Sequence, residues 1–165
     1  MRSNSGRAIA LGGVLAAVAV VIMCLGGFIP IATYACPMLC ALTLFIVLRF
    51  CGKRIGWTWF AAVSMLSLLM GPDKEAAFVF LTVGYYPLIK GRMERSKLHL
   101  LWKILFFNGA IVLAYSTMIY LFGMQEIAQE NMEFGLAGLC VILALGNLTF
   151  LLLDQLLGIM ARKLR

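Results

Sequence analysis

The fold of this chain is decided by one stretch, AIALGGVLAAVAVVIMCLGGFIPIATYACPMLCALTLFIVL, which is the range Ala8–Leu48. Its 41 residues carry no formal charge and are bracketed by Arg7 and Arg49. A helix needs about 20 apolar residues to cross a bilayer core of about 30 Å, so this stretch is long enough for two crossings. Pro30 and Pro37 divide it, which predicts two membrane helices joined by a short turn.

The composition of the whole chain also indicates a membrane protein. Of its 165 residues, 63% are hydrophobic and 13% are charged, whereas soluble domains have about half and about a quarter. A small soluble domain would need many more polar side chains on its surface. These figures exclude a disordered tail protein, a disulfide-stapled secreted module and, despite the net charge of +7, a nucleic-acid binder.

Further charge-free segments after Leu48 predict four more helices, of which the shortest need flanking residues to reach across the membrane. We therefore expect an all-α integral membrane protein with a single transmembrane domain, residues 1–165, folded as a compact bundle of six transmembrane helices. Five spans, with the short fourth segment only dipping into the membrane, is the alternative. The predicted helices are 7–29, 36–51, 55–71, 75–90, 101–122 and 135–160.

The basic residues set the predicted orientation, because Lys and Arg concentrate on the cytoplasmic side of membrane proteins. With six spans and both the N-terminus and the C-terminus in the cytoplasm, all but one of the 14 Lys and Arg residues fall in inner segments, and only Lys74 lies outside. We expect a multi-pass protein of the cell (plasma) membrane. The inner basic residues are Arg2, Arg7, Arg49, Lys53, Arg54, Lys90, Arg92, Arg95, Lys97, Lys103, Arg162, Lys163 and Arg165.

The first predicted helix carries a stripe of small residues. Ala8, Gly12 and Ala16 recur at intervals of four, with Gly13 and Ala17 beside them. Small residues on one helix face allow close backbone approach, which drives helix association in lipid. The stripe predicts either packing within this protein's own bundle or a docking face for a separate membrane subunit.

Polar side chains inside the predicted spans are costly unless they are paired or functional. Asn147 lies near the middle of the last helix, Tyr115 in the outer half of the fifth, and Tyr85 deeper on the fourth, toward the inner side. Around an outward-opening hollow, these groups would suit a small, partly apolar ligand. Interhelical hydrogen bonding and ordinary packing of the tyrosines is the alternative.

Two acidic residues have predicted structural roles. Asp154 lies near the inner end of the last helix, where we expect it to pair with an arginine such as Arg7 or Arg49. Asp73 precedes the fourth helix, and its side chain is of the type that caps helix N-termini.

Catalysis finds little support in the sequence. The single histidine, His99, lies in a basic inner segment, and no carboxylate pair lies inside the predicted spans. The five cysteines are scattered and offer no evident metal-ligand set. No phosphate-binding glycine loop is present. We expect a protein that is not an enzyme and has neither a cofactor nor a metal site.

Six short spans, cytoplasmic ends and a small-residue first helix together resemble the substrate-binding S components of energy-coupling factor (ECF) transporters. The opening Arg7–Val20, RAIALGGVLAAVAV, continuing through Gly26–Pro30, is similar to the start of those proteins. The Gly71–Ala76 turn, GPDKEA, and the Gly84–Pro87 segment, GYYP, resemble those of uncharacterised members. The resemblance covers nearly the whole chain in its layout.

The resemblance implies a substrate-capture subunit of an ATP-driven importer. Such a subunit binds a small organic, vitamin-like micronutrient from outside, then docks a membrane coupling subunit that works with two cytoplasmic ATPase subunits. In the family, an alanine-x-x-x-alanine stripe on the first helix meets the coupling subunit. Here that stripe corresponds to Ala8, Gly12 and Ala16, in which the central glycine departs from the pattern.

The resemblance also implies an outward-facing substrate cavity, built from the later helices and closed by outer loops. Metal-binding members carry a histidine-bearing N-terminal extension that this sequence does not show, so an organic substrate is implied. The loops above the cavity correspond to segments at 33–34, 73–75 and 126–133. The implied substrate-binding residues are Tyr34, Asp73, Tyr85, Tyr115 and Asn147.

Two other functions remain open on the sequence alone. The first is a non-transporting membrane scaffold, similar to the MreD-type proteins of the cell-wall elongation machinery, which needs partner surfaces but no ligand cavity. The second is an autonomous channel or proton-coupled carrier. That function would call for a charged group at mid-depth, where the sequence places only the uncharged Asn147.

Overall fold

A computed structural model describes residues 2–28, 32–94, 98–120, 123 and 135–163. In this part of the chain every regular element is a helix, which confirms the predicted all-α class. The helices are α1 (Arg2–Gly26), α2 (Ala32–Cys51), α3 (Lys53–Met70), α4 (Lys74–Val83), α5 (Tyr86–Met93), α6 (His99–Tyr120) and α7 (Gly135–Lys163).

Four of these helices are long and apolar enough to cross a membrane. Many large apolar side chains point outward, including Phe28 at 80% and Leu69 at 78% exposed. Contiguous apolar surface of this extent is typical of contact with lipid rather than water. The protein is therefore a membrane protein, and all of its described regular structure is helical. The four candidate spans are Gly6–Gly26, Ala32–Cys51, Leu100–Tyr120 and Leu143–Lys163.

The single helix predicted over 75–90 is two helices in the structure. Pro87 has no backbone N–H to donate, and its ring excludes the carbonyl four residues earlier. The backbone therefore leaves the helical pattern at Gly84 and Tyr85, and the N–H of Leu88 donates to the Tyr85 carbonyl at 3.0 Å. A Cβ on Gly84 would lie 2.5 Å from the ring of Phe80, so this turn requires glycine.

Successive long elements run in alternating directions, which sorts the charges to the two ends of the bundle. The thiol of Cys51, at the end of α2, donates to the Ala8 carbonyl near the start of α1 at 3.2 Å. At the other end, a Cβ on Gly27 would lie 2.4 Å from the Pro72 ring, just before α4. We call the first end the basic end, and the second the tyrosine end. The described basic residues of the basic end are Arg7, Arg49, Lys53, Arg54, Lys90, Arg92, Lys103, Arg162 and Lys163.

The helix α2 lies at the centre of the bundle, where it packs against α1, α3, α4, α5 and α7. One apolar core forms between α1, α2, α3 and α4 around Leu44, Val63 and Phe80. A second forms between α2, α4, α5, α6 and α7 around Phe107 and Phe150. Because α4 is shared by both cores and also packs on α6, the first turns of α2 and α4 come to lie beside the last turns of α6.

Candidate functional site

Two tyrosines and a carboxylate form a hydrogen-bonded chain at the tyrosine end. The hydroxyl of Tyr115, on α6, donates to the Glu75 carboxylate at the start of α4. The Tyr34 and Tyr115 hydroxyl oxygens are 2.8 Å apart. Each tyrosine has one O–H, so Tyr34 must donate to Tyr115. The chain runs from Tyr34 through Tyr115 to Glu75, and it ties α2, α6 and α4 together.

Asp73 joins the same helix ends by a second route. One carboxylate oxygen accepts from the backbone N–H of Ala76 at 2.9 Å, which confirms the predicted N-cap of α4. The other accepts from the Thr33 hydroxyl, at the start of α2, at 3.0 Å. Thr33 is the residue before Tyr34, and Asp73 lies two residues before Glu75. We call this group the tyrosine–carboxylate cluster, and its members are Thr33, Tyr34, Asp73, Glu75 and Tyr115.

Lys74, the first residue of α4, directs its side chain at backbone carbonyls. The ammonium of Lys74 donates to the carbonyls of Leu68 at 2.8 Å and Gly71 at 2.9 Å. A cation at these last carbonyls of α3 stabilises the negative end of that helix. The tyrosine–carboxylate cluster itself therefore offers carboxylate and phenol oxygens. Such oxygens accept hydrogen bonds and favour ligands with donor groups or positive charge.

Three of the five residues implied as substrate-binding, Tyr34, Asp73 and Tyr115, thus share one half-buried cluster. Asn147 lies elsewhere, paired with Asn108 through two amide hydrogen bonds of 3.1 and 3.2 Å between α7 and α6. Both amides also donate to carbonyls of their own helices. Asn147 therefore forms interhelical hydrogen bonds, which was the alternative to a role in substrate binding.

Tyr85 belongs to a separate aromatic group toward the basic end. Its ring stacks on Trp57 with centroids 6.5 Å apart and meets Phe106 edge-on at 5.5 Å. Edge-to-face and offset stacking at such distances is favourable. Tyr85 also lines a cavity of about 610 Å³ that opens sideways between α4–α5 and α6. The structure therefore separates Tyr85 from the tyrosine–carboxylate cluster.

Asp154 has lysine partners, so the predicted pairing with Arg7 or Arg49 is wrong. Lys90 binds its carboxylate and also its backbone carbonyl, the latter at 2.8 Å. Lys103 binds the second carboxylate oxygen at 2.7 Å. The two lysines come from α5 and α6, not from α1 and α2, which carry the expected arginines.

Two further groups complete this lysine–aspartate cluster. The Tyr86 hydroxyl donates to Asp154 at 2.6 Å. Glu94 lies 3.2 Å from Lys90 and 3.9 Å from Lys103, between nitrogen and oxygen atoms. The lysines are 7% and 4% exposed, and the two positive and two negative charges balance. The members of this cluster are Tyr86, Lys90, Glu94, Lys103 and Asp154.

Sequence reasoning missed the lysine–aspartate cluster because it used the lysines near helix ends only to set the orientation and considered no partners for them. One signal was available. Asp154 is an acid among basic segments, and Lys103 lies inside the predicted fifth helix, next to apolar residues. An isolated acid beside a lysine within a span favours a buried pair over two exposed charges.

The predicted docking stripe of α1 faces the protein's own bundle. Gly12 is buried, and a Cβ there would lie 3.6 Å from Ile55 on α3. Ala16 packs against the first apolar core, and the Ala8 carbonyl accepts from Cys51. These three residues therefore pack within the protein's own bundle, which was the alternative to a docking face for a separate subunit.

Two further predictions concern metal binding and the predicted outer segment 126–133. Among the described residues, no group of three or more His, Cys, Asp and Glu side chains could hold a metal ion. The predicted outer segment 126–133 lies outside the described residues.

Comparisons of the chain with protein-family models, with curated proteins and with solved structures give no match.

Proposed function

We propose that this protein is the substrate-capture subunit of an ATP-driven importer of the ECF type. It takes a small organic micronutrient from outside the cell at the tyrosine–carboxylate cluster and docks a membrane coupling subunit. Six segments traverse the plasma membrane, with α4 and α5 together forming one of them. Both termini are cytoplasmic, because this orientation puts the basic end inside.

The observation that carries the proposal is the meeting of Tyr34, Asp73 and Tyr115 at one end of the bundle. These residues are 39 to 81 positions apart in sequence, and the resemblance implied all three as substrate-binding residues. The cluster also lies at the end opposite the basic residues, where a ligand would arrive from outside. All five of its residues are half-buried.

The chemistry of the cluster favours a substrate with a positively charged or amine-bearing group. Glu75 and Asp73 contribute carboxylates, and Tyr34 and Tyr115 contribute phenol oxygens. The ammonium of Lys74 donates instead to the carbonyls of Leu68 and Gly71. Charge-assisted hydrogen bonds between a cationic ligand and carboxylates are roughly twice as strong as neutral ones.

Because Ala8, Gly12 and Ala16 face the protein's own bundle, the coupling subunit docks on a different face of α1. Four other small residues are exposed and recur at spacings of four, three and four, which keeps them on one side of the helix. A Cβ on Gly6 or Gly13 would meet nothing within 4 Å. A smooth exposed face of this kind permits close approach of a partner helix. These residues are Gly6, Ala10, Gly13 and Ala17.

Native mass spectrometry of gently purified protein tests substrate capture. A retained small molecule supports the proposal, whereas consistently empty protein favours the MreD-type scaffold. Tyr115→Phe should lower the affinity for the retained molecule about tenfold, the equivalent of one hydrogen bond. The matched control is Tyr120→Phe, on the same helix and 88% exposed, which should bind like the wild type. Equal affinity in both variants would move the binding site elsewhere.

Co-purification with the coupling subunit and ATPases tests docking. Gly13→Leu places a bulky side chain on the exposed face of α1 and should weaken the complex. Gly158→Leu adds the same side chain on α7, where a Cβ also meets nothing within 4 Å, and should leave the complex intact. A Gly13→Leu protein that assembles fully would rule out this docking face.

A further inference from the structure

The cavity between α4–α5 and α6 is a groove that runs along the side of the bundle. On α6 its lining extends from Trp102 to Thr117, which is about 22 Å at the helical rise of 1.5 Å per residue. Its rims are exposed, with Leu105 at 64% and Leu113 at 60%. Gly109 and Ala110 lie between these rims and give the groove its depth.

The lining of the groove is mostly apolar, and its two threonines form hydrogen bonds within their own helices. The hydroxyl of Thr82 donates to the carbonyls of Phe78 and Val79 on its own helix. The hydroxyl of Thr117 donates to the Leu113 carbonyl at 2.8 Å in the same way. Both side chains therefore use their hydroxyl donors locally. Apart from the Tyr85 hydroxyl and the Trp102 indole nitrogen, the lining therefore suits a hydrocarbon chain better than a polar ligand.

The length and volume of the groove fit an acyl chain better than a partner helix. A transmembrane helix is about 10 Å across, so 22 Å of it occupies roughly 1,700 Å³. The groove holds about 610 Å³, close to a third of that. A groove 22 Å long also exceeds one leaflet of a core about 30 Å thick. It can therefore take most of an extended acyl chain that enters from one membrane surface.

The end of the groove at Met93 and Trp102 carries positive charge. Lys90 and Lys103 are neutralised within the lysine–aspartate cluster. Arg92, next to Met93, is exposed and forms no ion pair with any residue in the described ranges. Basic residues at a membrane surface attract anionic headgroups, at about 1 kcal/mol per Lys or Arg, and tryptophan favours the headgroup level.

We propose that this groove binds an acyl chain of an anionic phospholipid, with the phosphate of the headgroup beside Arg92. The lipid covers the gap between α4–α5 and α6 and stabilises the interrupted helix at Gly84 and Tyr85. The site is separate from the tyrosine–carboxylate cluster and does not depend on transport.

Native mass spectrometry in mixed micelles tests the site, with phosphatidylglycerol and phosphatidylcholine of identical chains at equal concentration. Wild-type protein should retain one phosphatidylglycerol in preference to phosphatidylcholine. Gly109→Phe fills the groove and should abolish this adduct. The control Gly158→Phe, at another open glycine, should keep it. Arg92→Gln should reduce the preference for phosphatidylglycerol about fivefold, as expected for one basic residue.

Several results would overturn the proposal. Equal retention of both lipids by the wild type removes the headgroup site, and an unchanged adduct in Gly109→Phe removes the chain site. If Gly109→Phe instead breaks the complex with a coupling subunit while the adduct persists, the occupant is a protein helix.

If Gly109→Phe fails to fold, quenching of Trp102 fluorescence provides an independent test of lipid binding in the groove. In the variant with Trp57→Phe and Trp59→Phe, Trp102 is the only tryptophan. Phosphatidylglycerol with brominated acyl chains, mixed into phosphatidylcholine vesicles, should quench Trp102 with saturation at a low mole fraction. Quenching that rises only in proportion to the mole fraction, as for bulk lipid, would contradict a bound chain.

Discussion

The two polar clusters of the molecule lie at opposite ends of α6 and differ in the groups that bind their carboxylates and in how deeply they are buried. Lys103 and Tyr115, one from each cluster, are 12 residues apart on this helix, or about 18 Å. In the lysine–aspartate cluster, two lysines meet two carboxylates, and the lysines are almost wholly buried. In the tyrosine–carboxylate cluster, carboxylates meet hydroxyl groups in a half-buried setting.

On the proposed function, this difference corresponds to a structural role for one cluster and a binding role for the other. A buried ion pair with its hydrogen bonds satisfied leaves nothing for a ligand and fixes the helices that supply its members. A cluster of acceptors with few donors has capacity for a ligand that brings donors. We therefore expect changes at the lysine–aspartate cluster to affect stability, and changes at the tyrosine–carboxylate cluster to affect binding.

The largest effect should come from Asp154→Asn. This substitution removes the charge that compensates Lys90 and Lys103 while keeping the size of the side chain. Leaving such charges uncompensated costs about 3–5 kcal/mol, so the temperature of thermal unfolding in detergent should fall sharply.

The matched control for Asp154→Asn is Glu94→Gln, which removes an acid from the same cluster. The Glu94 side chain is 49% exposed, and exposed ion pairs contribute about 0–1 kcal/mol. If the Asp154→Asn and Glu94→Gln proteins unfolded at the same temperature, the more buried carboxylate would contribute no more to stability than the exposed one.

Much of the helical layout could be predicted from charge-free length alone. The stretch Ala8–Leu48 gives α1 and α2, and the ranges 101–122 and 135–160 correspond to α6 and α7. The N-cap at Asp73 was also predictable, because capping is a local property of residue type and position. The break before Pro87 follows from local chemistry too, but its place depends on how Phe80 packs over Gly84.

Pairings between distant residues were less accessible. The partners of Asp154 lie 64 and 51 positions earlier in the chain, and periodicity does not select among several basic residues at one end. The face of α1 that turns inward was equally ambiguous. Small residues follow both the Ala8–Gly12–Ala16 line and the neighbouring line through Gly13 and Ala17, and only tertiary contacts decide between them.

An intermediate effect, on affinity rather than stability, should follow Glu75→Gln. The amide oxygen of glutamine can still accept from Tyr115, so the free energy of unfolding should change by less than about 1 kcal/mol. The lost negative charge should weaken binding of a cationic substrate about tenfold, since hydrogen bonds to charged groups contribute about 1.5–3 kcal/mol.

Isothermal titration with the molecule identified by native mass spectrometry measures this change. The control is Gln155→Glu, which alters charge at the basic end of α7, on an exposed residue. Unchanged affinity in Glu75→Gln would mean that the substrate carries no positive charge at this cluster, whereas a large loss of stability would assign Glu75 a structural role.

The smallest effect should come from Asn147→Ala, midway between the two clusters. The substitution removes two hydrogen bonds to Asn108 and leaves that amide with its bond to the Ile104 carbonyl. Hydrogen bonds between membrane helices contribute about 0.6 kcal/mol on average, so the variant should lose about 1 kcal/mol of stability and keep its substrate affinity. Asn108→Ala should have the same effect, and the double variant should be no less stable than either single one, because both remove the same pair. Weaker substrate binding by the Asn147→Ala protein would instead show that the binding site extends from the tyrosine–carboxylate cluster toward the middle of the membrane.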